Sequence, residues 1–232
     1  MRADKFLADK FSSRTKAAES IEKGLVLVNG KRIRPKDEIS KDDVIEFIEA
    51  EWSFVSNGGY KLNKALQDFA YDCSGKTFAD IGASTGGFTD CLLQRGASKI
   101  YCIDVGESLL DPKLIHNPNI VQMENTNARY LEKEDFPELL DGVVTDVSFI
   151  SLRLIFPTIA RILRENGDGF VLIKPQFECE NKNISKNGIV RLSAHPQIVK
   201  NVLKYASECG LFPLGITNAP IRKGKKIGRA HV

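Results

Sequence analysis

The sequence predicts a doubly wound α/β fold of the Rossmann-like type, with a mostly parallel sheet that follows a small N-terminal α+β unit. Three observations lead to this fold class. Thr77–Ile81 is a short apolar run that ends at a glycine turn, and a helical pattern follows it. Lys99–Val105 is a second apolar run, and more such runs alternate with helical patterns downstream. This alternation is typical of a parallel sheet with helices on both faces.

The composition limits the classes of function. The 232 residues, 42% of them hydrophobic, allow one large domain or a medium and a small domain with a buried core. The 33 basic and 30 acidic residues leave a net charge of only +3, so any nucleic-acid surface must be local. No apolar run approaches the roughly 20 residues that span a bilayer, and the charged N-terminus lacks a signal-peptide core. We therefore expect a cytoplasmic protein that binds no membrane.

The cysteines predict neither a disulfide framework nor a metal site. Their number, five, is odd, and no two are spaced C-x-x-C. Free thiols in a reducing compartment are the expected state.

Residues 1–50 predict a unit of their own, joined by a linker at 51–57 to a second domain at 58–232. Two short helical patterns precede the strand Leu25–Val28, and Asn29-Gly30 is a strong hairpin signal. Basic residues cluster around this hairpin, which favours a surface for the phosphates and shape of structured RNA. The alternative is an ordinary solvated hairpin face. The predicted RNA-binding residues are Arg2, Arg14, Lys16, Asn29, Lys31, Arg32 and Arg34.

The glycine turn selects a class of ligand. A dinucleotide site spaces its glycines G-x-G-x-x-G to receive a pyrophosphate. Here the pattern is D-I-G-A-S-T-G-G, and an acid at that place repels phosphate but suits a cation such as S-adenosylmethionine. Asp104, at the end of the second strand, is placed to accept from the ribose hydroxyls. The alternative is a turn with a structural role only. The predicted cofactor-binding residues are Asp80, Gly82, Ser84, Gly86, Gly87, Phe88, Asp104, Asn127 and Asp146.

Three residues form a candidate catalytic set. Asp146 and Lys174 end the fourth and fifth predicted strands, at the edge where α/β sheets bind ligands, and Lys61 directly precedes the predicted helix Leu62–Phe69. An acid between two lysines suits methyl transfer to a ribose 2′-hydroxyl, whose proton needs a base in the transition state. We expect Lys174 to accept that proton and Lys61 to place the ribose and its phosphate. The alternatives are an exposed first-turn lysine at position 61 and an ordinary ion pair between Asp146 and Lys174.

The remaining pattern completes the predicted sheet. Ser151–Glu165 predicts a long helix, and Glu180–Gly188 predicts a flexible loop over the site. Leu211–Thr217 predicts a sixth strand.

The motifs together resemble one family. R-x-D-x-x-L, S-R-x-x-A, I-x-x-G-x-V and V-N-G are similar to the S4 RNA-binding domain. G-A-S-T-G-G-F-T-D, Y-C-I-D-V-G, N-A-R, D-V-S-F-I-S-L, K-P-Q-F-E and G-I-V-R extend the resemblance to the TlyA (haemolysin A) family, an S4 domain fused to an FtsJ-like methyltransferase. The resemblance implies S-adenosylmethionine as cofactor and ribose 2′-O-methylation of cytidines in ribosomal RNA, with rRNA or ribosomal subunits as partner. It also implies a catalytic lysine, aspartate, lysine and glutamate, of which Lys61, Asp146 and Lys174 match the first three.

The fourth residue departs from the family. Its glutamate lies in a G-N-x-E-F/Y run that opens the last strand, whereas here the chain continues from Arg222 to Val232 without a glutamate. Glu178 and Glu180 are nearby acids without that position. A truncated, frame-shifted or altered end is expected, with no seventh strand and weaker activity. The alternative function is therefore a non-catalytic RNA- or ribosome-binding protein; a membrane-lytic toxin is a third hypothesis.

Overall fold

The structure is a computed structural model that describes residues 1–11, 13–22, 24–47, 52–179, 184, 190–220 and 230–231. Backbone contacts divide the chain into two compact units, Met1–Ser53 and Phe54–Val232. The division falls within the segment 51–57, where the sequence predicts a linker.

The N-terminal unit packs two helices on a small antiparallel sheet. Its sheet has the order β2-β1-β3, and the β1–β2 turn has positive φ at both Asn29 (51°) and Gly30 (72°), as the Asn-Gly pair predicts. Seven apolar residues close the core: Ala3, Leu7, Ala17, Ile21, Val26, Val28 and Ile39. The elements are α1 (Ala3–Phe6), α2 (Arg14–Glu22), β1 (Val26–Val28), β2 (Lys31–Arg32) and β3 (Ile45–Phe47).

The second unit contains the predicted doubly wound sheet. Its strand order is β6-β5-β4-β7-β8-β10-β9, and the first five strands are parallel, so their carboxyl ends share one edge. The order reverses at β4, which lies between β5 and β7, and such a reversal opens a crevice for a ligand. The elements are α3 (Asn57–Asp68), β4 (Thr77–Ile81), α4 (Gly87–Gln94), β5 (Lys99–Ile103), β6 (Ile120–Met123), β7 (Leu140–Thr145), α5 (Phe156–Ile162), β8 (Leu163–Ile173), α6 (Pro175–Glu178), α7 (His195–Glu208), β9 (Thr217–Asn218) and β10 (Ala230–His231).

Helices cover both faces of this sheet. Ala79 and Ile81 of β4 join one apolar cluster with Ile159 of α5 and Val202 of α7. Because side chains alternate along a strand, Asp80 points to the other face, where α4 lies. All five residues of β4 are buried, which explains why its sequence is a continuous run rather than an alternation.

Two sequence-based boundaries are wrong in this unit. The predicted helix over 151–165 is a 3-10 turn at Leu152–Leu154 followed by α5, and Leu163 already begins β8. Leu163 pairs with Leu140 of β7, and this strand pairing overrides a helical spacing that continues through position 163. The predicted sixth strand over 211–217 is confined to the two residues of β9.

The prediction that the seventh strand is missing is also wrong. Ala230 pairs with Ile173 of β8 and with Asn218 of β9, so β10 lies antiparallel between these strands. The edge of β8 otherwise presents unpaired backbone groups, and even two extended residues can satisfy some of them. Within the described part of the chain, the sheet therefore has seven strands, and β9 and β10 contribute two residues each.

The described residues also bear on membranes, metals and disulfides. Within them, no helix combines the length and apolar character that crossing a bilayer requires. No cluster of three or more His, Cys, Asp or Glu side chains in that part of the chain could hold a metal ion. All five cysteines are free thiols, as the sequence predicts.

Candidate active site

The glycine turn between β4 and α4 lies at the carboxyl edge of the sheet. Gly82 and Gly86 have φ of 81° and 83°, a conformation that strains any residue with a side chain. A Cβ at Gly82 would lie 3.2 Å from the Cγ1 atom of Val147, so the space above the turn also requires glycine. Ser84, between the two glycines, is exposed. The turn thus presents backbone rather than side chains to the crevice.

Asp104 follows β5 and is fixed beside this turn. Its Oδ2 accepts a hydrogen bond from the backbone N–H of Ser84 and its Oδ1 accepts one from Gly106, both at 2.9 Å. A carboxylate has about four acceptor positions, so Asp104 can still receive hydroxyl groups. The N–H of Thr126 donates to the Asp104 carbonyl, and this bond holds the next residue, Asn127, near Asp104. The Asn127 side-chain oxygen accepts from the N–H of Arg129.

Asp80 lies beneath the turn rather than at its surface. The residue is 1% exposed, and its Oδ2 accepts from both the N–H and the hydroxyl of Thr89, at 2.9 and 2.7 Å. Burial is the main cause that raises the pKa of the Asp80 carboxyl, the bonds from Thr89 oppose the rise, and the neighbouring carboxylates of Asp146 and Asp104 add to it, so that the pKa is about 7. Its contacts thus fix the first turn of α4, and a cofactor contact of Asp80 stays a prediction.

Glycines bring α3 unusually close to α4. A Cβ at Gly87 would lie 2.1 Å from the Ser56 Oγ atom and 3.1 Å from the Gly58 Cα atom. Ser56 caps α3 by accepting from the N–H of Gly58. Phe88 is 3% exposed, and its ring packs 3.5 Å from the position that a Gly58 Cβ would occupy. This close packing positions the first turn of α3, which carries Lys61.

The three predicted catalytic residues meet at the carboxyl ends of β7 and β8. The Lys61 Nζ atom lies 2.6 Å from the Asp146 Oδ2 atom, and the Lys174 Nζ atom lies 2.5 Å from Oδ1 of the same carboxylate. Lys61 and Lys174 are only 8% and 6% exposed. The alternative of an exposed first-turn lysine is therefore wrong. Asp146 also donates its backbone N–H to Ile81, the residue before the glycine turn, so this ion-pair cluster borders the turn.

Lys174 has further partners that the sequence did not single out. Its Nζ atom donates to the Asp146 carbonyl at 3.0 Å and contacts the Ser148 Oγ atom at 2.7 Å. Ser148 is exposed, in contrast to the lysine that it contacts. The only signal for this contact is that Ser148 lies two residues after Asp146.

An aromatic pair lies in the loop after β7 and in α6. Phe149 is 92% exposed and has φ of 64°, and its ring centroid lies 5.3 Å from that of Phe177. A bulky residue in this backbone region is a strained outlier, and such strain concentrates at functional sites. Sequence reasoning missed this pair because neither exposure nor φ could be derived from its pattern.

Glu178 ties the same loop to α6. Its two carboxylate oxygens accept from the hydroxyl of Ser151 at 2.7 Å and from the N–H of Leu152 at 2.8 Å. Burial raises the pKa of the Glu178 carboxyl above its ordinary value, and the bonds from the loop oppose that rise. Glu180 and most of the predicted loop over 180–188 lie outside the described residues.

Two of the predicted RNA-binding arginines share a partner in the N-terminal unit. Asp4, whose side chain is 6% exposed, pairs with Arg2 at 2.7 Å and with Arg14 at 3.2 Å. The hydrogen bond from Arg2 is the main cause that lowers the pKa of the Asp4 carboxyl. Both guanidinium groups therefore lie at one place on the surface.

The other predicted RNA-binding residues are also exposed, but Asn29 has a structural role. The Asn29 side-chain amide donates to Asp43 at 2.7 Å and accepts from the N–H of Val44 at 2.9 Å. These two bonds tie the hairpin turn to the segment before β3. Arg34 lies 3.2 Å from Asp37, and its side chain is 86% exposed. The remaining exposed members of the set are Lys16, Lys31 and Arg32.

Comparisons with known proteins agree with this architecture. Residues 54–226 match the model of the FtsJ-like methyltransferase family, and residues 1–45 match that of the S4 domain. Hemolysin A of Brachyspira hyodysenteriae is 40% identical over 230 residues, covering 97% of this chain and 95% of that protein. The 16S/23S rRNA (cytidine-2′-O)-methyltransferase TlyA of Mycobacterium tuberculosis is 36% identical over 215 residues, covering 90% and 79%.

A solved structure gives the same result in three dimensions. A hemolysin-like protein from Streptococcus thermophilus is 37% identical and superposes with a TM-score of 0.76, covering 100% of this chain and 86% of that one. The sequence motifs, the strand order and these matches lead to one assignment. The chain belongs to the FtsJ-like methyltransferase family and carries an S4 domain at its N-terminus.

Proposed function

We propose that this protein transfers a methyl group from S-adenosylmethionine to a ribose 2′-hydroxyl of ribosomal RNA, on a cytidine as in the name of its mycobacterial relative. The observation that carries the proposal is the buried cluster of Lys61, Asp146 and Lys174 beside the glycine turn. Two amines on one carboxylate, next to a ligand crevice, supply a proton acceptor and a cation for an anionic substrate.

The residues around the turn fit S-adenosylmethionine. The turn from Gly82 to Gly87 offers backbone in place of side chains, and Asp104 retains acceptor positions for ribose hydroxyls. Asp104 also places a carboxylate beside the turn, which suits a sulfonium cation better than a phosphate. When bound, S-adenosylmethionine supplies an electrophilic methyl group.

The chain's own residues would handle the proton. A ribose hydroxyl is neutral at pH 7, so its oxygen becomes a good nucleophile only as a base takes its proton. Lys174, in its neutral form, accepts that proton at Nζ. Asp146 orients the Lys174 amine through its Oδ1 atom and its backbone carbonyl. Lys61 holds the other oxygen of Asp146 and contributes positive charge toward the phosphate of the target nucleotide.

The S4 domain supports an RNA partner. Its exposed cations include the Arg2–Arg14 pair on Asp4 and the Lys31–Arg32 strand β2. Such residues bind phosphates and position the protein on a structured RNA without reading its sequence. A ribosomal RNA substrate would place the reaction in the cytoplasm, as the sequence predicts.

The test is methyl transfer to ribosomal substrates. Purified protein, labelled S-adenosylmethionine and unmodified 16S rRNA, 23S rRNA or ribosomal subunits are incubated together, and ribose methylation is mapped by its resistance to alkaline hydrolysis. We expect Lys174→Ala to lower the rate by at least 100-fold, since general-base catalysis contributes about 10²–10⁴-fold. The matched control is Lys64→Ala on α3, which removes an exposed lysine paired with Asp68 and leaves the rate intact.

One feature of the sequence favours a second candidate function. Residues 221–232 contain neither the family's G-N-x-E-F/Y run nor a glutamate. A non-catalytic ribosome-binding protein would bind rRNA and S-adenosylmethionine but transfer no methyl group to any of these substrates. That result would contradict the enzymatic proposal.

A further inference from the structure

The hydrogen bonds of Lys174 contain an asymmetry. Lys174 donates a hydrogen bond to the backbone carbonyl of Asp146 and forms an ion pair with the Oδ1 atom of the same residue, and neither oxygen can donate a proton in return. The third contact, the Ser148 hydroxyl at 2.7 Å, can either accept or donate. A charged lysine has three N–H groups to donate, whereas a neutral lysine has two and a lone pair that needs a donor. Among these three groups, only the Ser148 hydroxyl can accept a hydrogen bond from the charged lysine and donate one to the neutral lysine.

Ser148 is also far more accessible than the lysine that it contacts. Lys174 is 6% exposed, whereas Ser148 is exposed on the loop that follows β7. A ribose hydroxyl on a bulky RNA reaches an exposed serine more easily than a buried amine. Proton transfer through one intervening hydroxyl or water is a normal route when the base is not in direct contact.

Contacts at both ends of the loop hold the Ser148 hydroxyl at 2.7 Å from the Lys174 Nζ atom. Asp146 fixes its start through the Ile81 carbonyl, and Glu178 of α6 fixes its end through Ser151 and Leu152. Lys174 is the N-cap residue of that same helix, so the lysine and the loop are tied to one element. The strained φ of 64° at Phe149 belongs to the same loop, and strain of this kind persists where surrounding contacts require it.

We propose that Ser148 is a further catalytic residue, a proton relay between the ribose 2′-hydroxyl and Lys174. This inference rests on the proposed function. As the ribose oxygen forms its bond to the methyl group, its O–H bond breaks and that proton goes to the Ser148 Oγ atom. The proton that Ser148 carried goes to the neutral Lys174 Nζ atom. The methyl donor loses its methyl group and its positive charge, the charge ends on Lys174, and Ser148 is neutral before and after.

The test measures single-turnover methyl transfer with saturating RNA for the wild type and three variants. We expect Ser148→Ala to lower the rate constant about 10- to 100-fold, with RNA and S-adenosylmethionine affinities within twofold of the wild type. Ser148→Thr, which keeps a hydroxyl, restores most of the rate. Ser151→Ala removes a hydroxyl of the same loop that bonds to Glu178, and we expect a smaller loss.

The solvent isotope effect separates a relay from a structural role. A relay moves two protons in one step, so the wild-type rate should depend on the deuterium fraction along a curve. Ser148→Ala should give a straight line, because a single proton then moves. A rate for Ser148→Ala within threefold of the wild type would overturn the relay, as would equal losses in Ser148→Ala and Ser151→Ala. If the wild type transfers no methyl group, the proposed function itself fails and the relay fails with it.

Discussion

One carboxylate, Asp146, holds two buried amines in the active site. Its contacts at 2.6 Å to Lys61 and 2.5 Å to Lys174 leave both lysines with a common anion. Removing one partner of a buried ion pair costs more than the pair itself contributes, because the other charges stay buried and unbalanced. The residue therefore serves both the stability and the proposed chemistry.

This leads to a prediction for Asp146→Asn. We expect the free energy of unfolding to fall by about 3 kcal/mol, because the two buried amines lose the carboxylate that both of them contact. Urea denaturation of the folded variant at pH 7 measures this loss. The control is Glu208→Gln, which removes an exposed pair with Lys204 and should cost about 0.5 kcal/mol or less. Equal losses in the two variants would contradict the buried-pair account.

Asp80 makes stability depend on pH. Its pKa rises from 3.8 to about 7 on folding, so the folded protein binds more protons than the unfolded chain between these values. Stability therefore falls as pH rises from about 4 to about 7, by about 4 kcal/mol at most. We expect Asp80→Asn to remove this decrease, as measured by urea denaturation at several pH values between 5 and 8.

The control for this slope is Asp72→Asn. The N–H of Ser74 bonds to this exposed carboxyl and is the main cause that lowers its pKa, so Asp72 titrates only at lower pH. Its substitution should leave the slope between pH 5 and 8 unchanged. A slope that persists in Asp80→Asn would show that another group causes it.

Sequence reasoning brings some active-site residues together and misses others for a physical reason. Lys61, Asp146 and Lys174 could be predicted as one set because parallel strands end at the same edge of a sheet. Ser148 and Phe149 could not, since their roles depend on a hydrogen bond and on a positive φ that the pattern does not encode.

At the scale of elements, the approach of α3 to α4 decides where Lys61 lies. The two helices meet at Gly87 and Gly58, where a Cβ on Gly87 would lie 3.1 Å from the Gly58 Cα atom. Lys61 follows Gly58 by three residues, so a shift of the first turn of α3 moves the Lys61 amine relative to Asp146. The sequence indicates a tight turn at Gly58-Gly59, but it does not reveal that Gly87 is the partner.

This predicts a specific effect of Gly87→Ala. The new Cβ would lie 2.1 Å from the Ser56 Oγ atom and 3.1 Å from the Gly59 nitrogen, so α3 must shift. We expect a loss of about 1–3 kcal/mol of stability, as overpacking usually causes. We also expect methyl transfer to fall at least tenfold at a temperature where the variant is folded. Denaturation and the methyl-transfer assay measure the two effects.

Gly169→Ala in β8 is the matched control. A Cβ there meets no atom closer than 3.9 Å, and no positive φ restricts the position. It should retain the wild-type rate and nearly the wild-type stability. A fully active Gly87→Ala protein would show that the position of α3 does not control Lys61.

At the scale of the whole molecule, the central sheet could be predicted and its far edge could not. Of the five parallel strands, β4, β5, β7 and β8 each contain a run of at least four buried residues, which an apolar pattern identifies. Strands β9 and β10 have two residues each and pair antiparallel beside β8, and so short a segment has no hydrophobic period to detect. They form because the edge of β8 offers unpaired backbone groups, and that edge exists only once the rest of the sheet has formed.

The division of the chain into two units predicts that RNA affinity and cofactor affinity can be changed separately. The exposed cations of β2, Lys31 and Arg32, lie in the N-terminal unit, whereas the glycine turn and Asp104 lie in the second. Each lysine or arginine that neutralises a phosphate adds about 0.7–0.9 to the slope of log affinity against log salt concentration. We therefore expect the double variant Lys31→Ala/Arg32→Ala to bind rRNA more weakly and to lower that slope by about 1.4–1.8.

The measurement is filter binding of full-length protein to rRNA fragments at several salt concentrations, beside calorimetry with S-adenosylmethionine. Cofactor affinity should stay at the wild-type value, because β2 and the glycine turn belong to different units of the chain. Lys10→Ala removes an exposed cation of the same unit that lies outside the predicted RNA-binding set, and it should leave the slope within about 0.3 of the wild type. An unchanged slope in the double variant would mean that Lys31 and Arg32 contact no phosphate, and the RNA surface would then lie elsewhere on the chain.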